Sequence, residues 1–216
     1  MLTFHVVTLF PESLESYISS SILGRAIKNK KVRIKFYNPR DYVGVKNASG
    51  YKPVDARAYG GGPGMVLQAE PILRAIKKIK ADKPKIIIFS PAGRQFNNQE
   101  GIKMAKKYND IVLICGRYEG VDARVKKILK AEEISVGPYI LTGGELAALI
   151  LMDTTARQVE GVLGKFASLE EGRISSSEVY TRPEVLRHRG KNYRVPSVLL
   201  SGNHKEIDRW RIKKDI

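Results

Sequence analysis

Apolar, β-branched segments alternate with segments of helical spacing along most of the chain, and this alternation is the strongest constraint on its fold. The spacing predicts strands at residues 2–9, 32–37, 85–89, 111–115 and 134–136. It predicts helices that begin near Pro11 and at residues 70–79, 98–108, 121–129 and 145–159. Because strands that alternate with helices usually pair in parallel, the sequence predicts an α/β protein with a mostly parallel sheet.

The composition divides the chain into three parts. Its 216 residues are enough to bury the core of one large domain, or of a domain with an appendage. Residues 1–160 carry the alternating pattern, whereas residues 161–178 are rich in Ser, Glu, Gly and Lys, which is typical of a flexible interdomain linker or of a loop that orders on binding. Residues 179–216 remain as a small C-terminal domain with a predicted helix at 206–214.

The chain is strongly basic, with 38 Lys and Arg against 22 Asp and Glu and a formal net charge of +16. Such an excess favours a polyanionic partner, with nucleic acid first and an anionic membrane surface second. The alternative is a proteome that is basic throughout. One cysteine, Cys115, excludes an intrachain disulfide and fits a reducing compartment.

The start of the chain lacks the basic and apolar regions of a signal peptide, and the longest apolar run, residues 146–152, is too short to span a bilayer. We therefore expect a cytoplasmic protein with no membrane partner.

Turns rich in Gly and Pro follow three predicted strands, at residues 90–93, 116–120 and 136–144. Ligands of open α/β sheets bind beyond the carboxyl ends of the strands, and glycine lets the backbone approach a ligand closely. The three turns could therefore line one pocket with backbone amides and carbonyls, which suits an adenine and a ribose. The alternative is that they are ordinary turns.

Several other sites are excluded by their spacing. The glycines at 60–64 are not followed by the Lys and Ser or Thr of a Walker A motif, and no G-x-G-x-x-G follows the first strand. His5, His188 and His204 have no ligand-like spacing with Cys115, so no metal site is predicted. Cys115 closes an apolar strand, which favours a buried, inert thiol over a nucleophile.

Nine short segments in a fixed order carry a resemblance to a known family. They are residues 8–12 (TLFPE), 21–25 (SILGR), 59–65 (YGGGPGM), 90–94 (SPAGR), 115–122 (CGRYEGVD), 135–145 (SVGPYILTGGE), 161–164 (GVLG), 180–184 (YTRPE) and 198–204 (VLLSGNH). With these segments the chain resembles the bacterial tRNA (guanine-N1)-methyltransferases of the SPOUT superfamily over about residues 1–212.

The resemblance implies a fold and an activity. The expected fold is an α/β SPOUT domain whose mostly parallel sheet is threaded through a deep trefoil knot, followed by a small, mostly helical C-terminal domain that binds tRNA. The expected enzyme is a homodimer with a shared active site. It transfers a methyl group from S-adenosylmethionine to N1 of guanosine 37, which follows guanosine 36, in tRNA. Magnesium assists the reaction in the family.

The resemblance also assigns site residues. Those expected to bind S-adenosylmethionine are Phe89, Ser90, Pro91, Ala92, Gly93, Gly116, Arg117, Tyr118, Glu119, Gly120, Ser135, Val136, Gly137, Tyr139, Leu141, Gly143 and Gly144. Those expected to bind the tRNA are Arg25, Tyr59, Gly61, Arg182, His204 and Arg209.

The chemistry requires a base and a cation. Guanine N1 carries a proton at neutral pH, and negative charge develops on O6 as that proton leaves. The resemblance places the catalytic arginine at Arg157. The family's linker aspartate, however, falls at Gly172, so Glu171 is the first candidate base and Glu170, after a register shift, the second.

Gly172 leaves a different function open. A protein without the base would be a non-catalytic or impaired RNA-binding SPOUT protein. A SPOUT methyltransferase that acts on another RNA is a further alternative, which the segments at 180–184 and 198–204 disfavour. The family chain usually continues beyond the region of Trp210, so we expect a shortened C-terminal domain here that depends more on its basic residues.

Overall fold

The computed structural model describes residues 1–44, 50, 52–163 and 178–213. The chain divides into two compact units, Met1–Gly164 and Lys165–Ile216. Within the described part, none of the helices has the length and apolar character needed to cross a bilayer.

A five-stranded sheet forms the centre of the first unit. Its strands are β1 (Leu2–Val7), β2 (Val32–Tyr37), β5 (Lys85–Gln95), β6 (Asp110–Ile114) and β7 (Glu132–Ser135). Their order in the sheet is β2-β1-β6-β5-β7, and every pair of neighbours is parallel. The predicted α/β class with a mostly parallel sheet is therefore confirmed. A separate two-stranded antiparallel ribbon joins β3 (Asp55–Ala56) and β4 (Val66–Leu67).

Helices cover both faces of the sheet. Four of them contribute to the core on one face: α1 (Glu12–Ile18), α2 (Ser21–Lys28), α4 (Asn98–Lys107) and α6 (Glu145–Ala156). The other face is covered by α3 (Ala69–Lys77) and α5 (Ala123–Leu129). Side chains alternate along a strand, so Val6 of β1 packs into the first core and Val7 into the second. Both cores thus depend on the same central strands.

Two of the predicted elements differ from the observed ones by more than a few residues. The helical spacing after Pro11 predicts a single helix, but the structure breaks it between α1 and α2, where Ser21 adopts a φ of 49°. The Ser19 and Ser20 hydroxyls donate to the carbonyls of Glu15 and Tyr17 and so end the first helix.

The second difference lies in β5, which continues to Gln95 beyond the predicted end at residue 89. Phe89 and Arg94 both pair with Ile134 of β7, so residues 90–93 leave the strand and return to it. A Cβ atom on Gly93 would lie 2.6 Å from the backbone nitrogen of Ile134, so only glycine permits this return. The predicted turn is therefore an excursion within one strand.

The second unit contains a hairpin and two helices among its described residues. The hairpin joins β8 (Val185–His188) and β9 (Lys191–Arg194) through Arg189 and Gly190, both at positive φ. The helices are α7 (Ser197–Leu200) and α8 (His204–Lys213), the second of which corresponds to the predicted helix at 206–214. The hairpin was not predicted. The Trp210 ring lies 6.2 Å from that of Tyr180, measured between centroids.

Candidate active site

The three glycine-rich segments meet in a cleft at the carboxyl ends of β5, β6 and β7. The cleft has a volume of about 260 Å³. Residues from the predicted cofactor set that line it are Phe89, Ser90, Pro91, Gly116, Arg117, Tyr118, Glu119, Gly120, Ser135, Val136, Tyr139, Leu141, Gly143 and Gly144. Its other lining residues are Ile134, Ile140, Thr142 and Ala147. Ala92, Gly93 and Gly137 of the predicted set do not line it.

Direct backbone contacts hold two of these segments together. The Gly144 N–H donates to the carbonyl of Gly116 at 2.9 Å, and Arg117 forms a β-bridge with Gly143. A Cβ atom on Gly144 would lie 2.6 Å from Cα of Cys115. Because backbone atoms cannot easily move aside, glycine is required here for the start of α6 to approach the end of β6.

The segment after β6 carries a left-handed residue. Tyr118 has a φ of 58°, and Gly120, with a φ of 120°, donates its N–H to the carbonyl of Arg117 at 3.0 Å. A tyrosine in this conformation stores strain, which is typical of binding sites. The exposed Tyr118 side chain consequently stands at the wall of the cleft.

The segment after β7 is fixed by its own side chains. The Ser135 hydroxyl donates to the carbonyl of Gly137 at 2.9 Å, and the Tyr139 hydroxyl donates to the carbonyl of Val136 at 3.1 Å. A Cβ atom on Gly137 would lie 2.3 Å from the Tyr139 ring. Gly137 does not line the cleft itself, but the absence of a side chain there leaves room for the Tyr139 ring, which does line it.

A buried ion pair lies behind the cleft and was missed in the sequence. Glu145, only 4% exposed in the first turn of α6, lies 3.1 Å from Nε of Arg117 and accepts a hydrogen bond from the Thr8 hydroxyl at 2.7 Å. The Arg117 guanidinium also lies 4.5 Å from the centre of the Phe10 ring. The sequence did contain a signal for this pair of contacts. Glu145 is a charged residue at the start of a mostly apolar helix, and Thr8 is a hydroxyl residue directly after an apolar strand.

Cys115 is buried beside this ion pair. Burial raises the pKa of the thiol well above its ordinary value, and the charge of Glu145 raises it further. A protonated, enclosed thiol is a poor nucleophile. The expectation that Cys115 is buried is therefore confirmed, and the raised pKa agrees with an inert thiol.

The glycine-rich loop at 60–64 adjoins the cleft. The Glu119 N–H donates to the carbonyl of Met65 at 3.0 Å, and the Leu67 N–H donates to the carbonyl of Gly120 at 2.9 Å. Tyr59 and Gly61, both expected to bind tRNA, are exposed in this loop region. A third expected residue, Arg25, is exposed on α2.

The expected catalytic arginine is not a lining residue of the cleft. Arg157 follows the last residue of α6, is half-buried, and donates its N–H to the carbonyl of Asp153 at 3.1 Å. Gly144, at the cleft, precedes the first residue of the same helix. At 1.5 Å per residue, Gly144 lies about 20 Å from Arg157 along the helix axis, and Ala147, the lining residue nearest to Arg157 on α6, lies about 15 Å from it.

The remaining expected residues lie elsewhere. Glu171, Glu170 and Gly172 fall outside the described residues. Arg182, His204 and Arg209 belong to the second unit and are exposed there, and Arg209 pairs with Glu206 at 2.9 Å.

A comparison with known protein families shows to which family this chain belongs. The family model described as tRNA (Guanine-1)-methyltransferase TrmD matches residues 2–216. The chain belongs to this methyltransferase family. Curated relatives named tRNA (guanine-N(1)-)-methyltransferase agree with the assignment over nearly the whole chain.

Three of these relatives illustrate the similarity. The chain is 45% identical to the protein of Marinomonas sp. (strain MWYL1), with 98% of this chain and 83% of the relative covered. It is 44% identical to that of Shewanella sediminis (strain HAW-EB3), where the shares are 98% and 86%. It is 41% identical to that of Buchnera aphidicola subsp. Acyrthosiphon pisum (strain APS), where they are 100% and 90%.

Family membership has a consequence for the reaction. A methyltransferase of this family implies S-adenosylmethionine as the methyl donor. The residues present fit such a donor, because the cleft combines backbone amides and carbonyls with the apolar side chains of Ile134, Leu141 and Ala147. Among the described residues, no three His, Cys, Asp or Glu side chains are grouped as a metal ion would need, so magnesium gains no support.

Proposed function

We propose that the protein methylates N1 of guanosine 37, where guanosine 36 precedes it, in tRNA. The proposal rests on the cleft, which is lined by glycine-rich segments, in a chain that matches the tRNA (guanine-1)-methyltransferase family from residue 2 to residue 216. The relatives described above are named as methyltransferases, so the non-catalytic alternative based on Gly172 gains no support from them.

The cofactor residues assigned by resemblance bind the donor in this proposal. When bound, S-adenosylmethionine supplies a methyl group activated by a neighbouring sulfonium. The segments that carry Ser90, Gly116 and Val136 hold it through backbone groups, and the Arg117–Glu145 ion pair keeps the middle segment in place. Ala92, Gly93 and Gly137 belong to the same segments and are included in the proposal, although they do not line the cleft.

Two side chains act on the guanine. Arg157 offsets the negative charge that develops on O6, and Glu171 accepts the proton from N1. Glu171 is proposed because a glycine at position 172 cannot take a proton, whereas a longer glutamate side chain one position earlier can reach the same atom. Glu170 is the second choice.

A homodimer brings these groups together. Since Arg157 lies about 15 Å along α6 from Ala147, the nearest residue of that helix that lines the cleft of its own chain, we propose that the arginine serves the cleft of the partner. The surface for pairing includes apolar side chains around α6, where Leu146 is 57% and Ile150 is 41% exposed. Tyr139 and Ile140, also exposed, extend this apolar surface to the cleft. A second copy that covered them would exclude water from both.

The proposal includes the knot and three domains. A deep trefoil knot would thread the segments after β5, β6 and β7 through one another, which agrees with the close contacts of Gly144 with Cys115 and of Gly93 with Ile134. We propose residues 1–160 as the donor-binding domain, 161–178 as the linker that carries the base, and 179–216 as a small tRNA-binding domain. Arg182, His204 and Arg209 then contact tRNA from that domain, and Arg25, Tyr59 and Gly61 from the first.

Methyl transfer from labelled S-adenosylmethionine tests the proposal. A tRNA transcript with guanosines 36 and 37 should acquire label at N1 of guanosine 37, and a transcript with adenosine at 36 should not. The variant Glu171→Gln should bind the donor as the wild type does and lose turnover by a factor of about 100 or more. Donor binding without any transfer to tRNA would favour the non-catalytic alternative, and full activity of the variant would exclude Glu171 as the base.

A further inference from the structure

A second groove lies on the face of the first unit that α3 and α5 cover. The ribbon of β3 and β4 forms one wall, and the two helices form the other. Four cations line it: Arg57, Arg74, Lys77 and Arg124. Among the described residues that line it, only Glu70 and Asp122 are acidic, so these residues together carry a formal charge of +2.

Two of the four cations are not engaged by other described residues. Arg74 pairs with Glu70 at 2.5 Å, and Arg124 pairs with Asp122 at 2.6 Å. Arg57 and Lys77 are exposed and have no ion pair or hydrogen bond within the described ranges. These two side chains carry the excess charge, and a polyanion in the groove would meet them first.

One aromatic ring that lines the groove is fully exposed to solvent. Tyr59 is fully exposed, at 101% of its reference area, although a tyrosine normally buries part of its ring. Ile128, another large apolar side chain of the groove, is 61% exposed. A cationic groove with a bare aromatic ring is the arrangement that binds single-stranded nucleic acid, because phosphates pair with the cations and bases stack on the ring.

The groove adjoins the donor cleft through shared backbone. The Leu67 N–H donates to the carbonyl of Gly120 in the cleft, and the Asp122 N–H donates to the carbonyl of Leu67 at 3.0 Å. Leu67 and Asp122 line the groove, whereas Gly120 lines the cleft. The glycine-rich loop at 60–64 belongs to the connection between β3 and β4, which line the groove, and it adjoins the cleft. A strand with one base in the cleft can therefore continue over this loop into the groove.

We propose that this groove binds the single-stranded RNA next to the target guanosine. Arg57 and Lys77 contact two phosphates of the strand, and an unpaired base stacks on Tyr59. This inference rests on the proposed function, because the strand is taken to be the anticodon loop of the tRNA substrate. The inference adds the path that the RNA strand follows away from the donor cleft.

The test compares two double variants of the full chain. Arg57→Gln with Lys77→Gln removes the two unpaired cations of the groove. Lys103→Gln with Lys106→Gln removes two exposed cations from α4, on the other face of the sheet, and lowers the net charge equally. This control separates a local contact from the general attraction of a basic protein for RNA.

Binding of a fluorescent anticodon stem-loop is measured by anisotropy across a range of salt concentrations. We expect the groove variant to bind about tenfold more weakly at about 0.1 M salt, and the control variant less than about twofold more weakly. The dependence of log K on log salt should flatten by about 1.4 in the groove variant, since each phosphate contact to a single strand contributes about 0.7. Tyr59→Ala should weaken binding by about tenfold without flattening the slope.

Two results would overturn the inference: equal binding by the groove and control variants, or an unchanged salt slope in the groove variant. Uptake of S-adenosylmethionine by calorimetry should be the same in all variants. Failure of the proposed function would be seen separately, as a wild-type protein that binds the stem-loop but transfers no methyl group. In that case a weakened groove variant would still support the groove as an RNA site.

Discussion

Glu145 and Arg117 join the first turn of α6 to the segment that follows β6, through an ion pair with a 3.1 Å separation. The Glu145 side chain is almost fully buried, and that of Arg117 is 23% exposed. The pair also lies directly behind the donor cleft, to which Arg117 contributes lining atoms. The geometry of the cleft therefore depends on the buried charge of Glu145, which does not itself line the cleft.

Replacing Glu145 with Gln should loosen the cleft. The amide can still accept a hydrogen bond from Thr8, but Arg117 loses its counter-charge while it remains largely buried. We expect the free energy of unfolding to fall by about 2 kcal/mol and donor affinity to fall with it. Urea denaturation and calorimetry measure the two effects. The matched control is Glu70→Gln, which breaks the exposed pair with Arg74 and should cost less than about 1 kcal/mol.

A methyl group at Gly144 should separate the two segments that meet there. Its Cβ would lie 2.6 Å from Cα of Cys115, which is backbone and cannot rotate away. We expect Gly144→Ala to lower the free energy of unfolding by about 1–3 kcal/mol and to reduce donor affinity. Gly116→Ala is the control for stability, because its Cβ would lie an ordinary 3.5 Å from Val121. Equal stability of the two variants would contradict the steric argument.

Periodicity predicted the elements whose burial is regular. The spacing predicted β2 at residues 32–37, and the structure has Val32–Tyr37, because one side of this strand packs on the core while Arg33 and Lys35 face solvent. The central strands were predicted because most of their residues are apolar. Their carboxyl ends could then be expected to share a cleft from the general rule for parallel sheets.

Elements held by distant partners could not be predicted in this way. Residues 90–95 have no alternating pattern, and they rejoin β5 only because the backbone of β7 lies beside them. The hairpin of β8 and β9 consists of exposed, mostly polar residues and carries no apolar periodicity. Glu145 is buried because Thr8, 137 positions away in the chain, and Arg117 meet it in three dimensions. Such contacts are set by the tertiary fold and leave only weak local signals.

Acid should weaken the connection between β5 and β7 through Glu132. Partial burial alone would raise the pKa of this carboxyl, but hydrogen bonds from Lys85 and Arg94 outweigh burial and hold the pKa below its ordinary value of 4.5. A carboxyl with a lowered pKa in the folded state adds stability that is fully present above about pH 4.5 and is lost as the pH falls through the folded pKa.

Urea denaturation at a series of pH values between 7 and 3 should show this loss. Because Glu132 is partly exposed, we expect it to contribute no more than about 1 kcal/mol. Glu132→Gln should be less stable than the wild type at neutral pH, and the difference should shrink as the pH falls below about 4.5. A constant difference across the whole range would show that Glu132 does not titrate with a lowered pKa.

A shared active site predicts that two inactive variants restore each other. Arg157→Ala keeps the donor cleft, whereas Gly144→Ala keeps the arginine and damages the cleft. If the arginine serves the partner's cleft, each mixed dimer has one site with both parts intact. Random pairing of equal amounts makes half of the dimers mixed, so co-expressed chains should regain about a quarter of wild-type activity, whereas each variant alone should be nearly inactive. An arginine that served its own cleft would leave one defect in every site, and the mixture would stay as inactive as its components. The α6 helix favours the first result, because it places Arg157 about 15 Å from Ala147, the nearest residue of the helix that lines the cleft of its own chain.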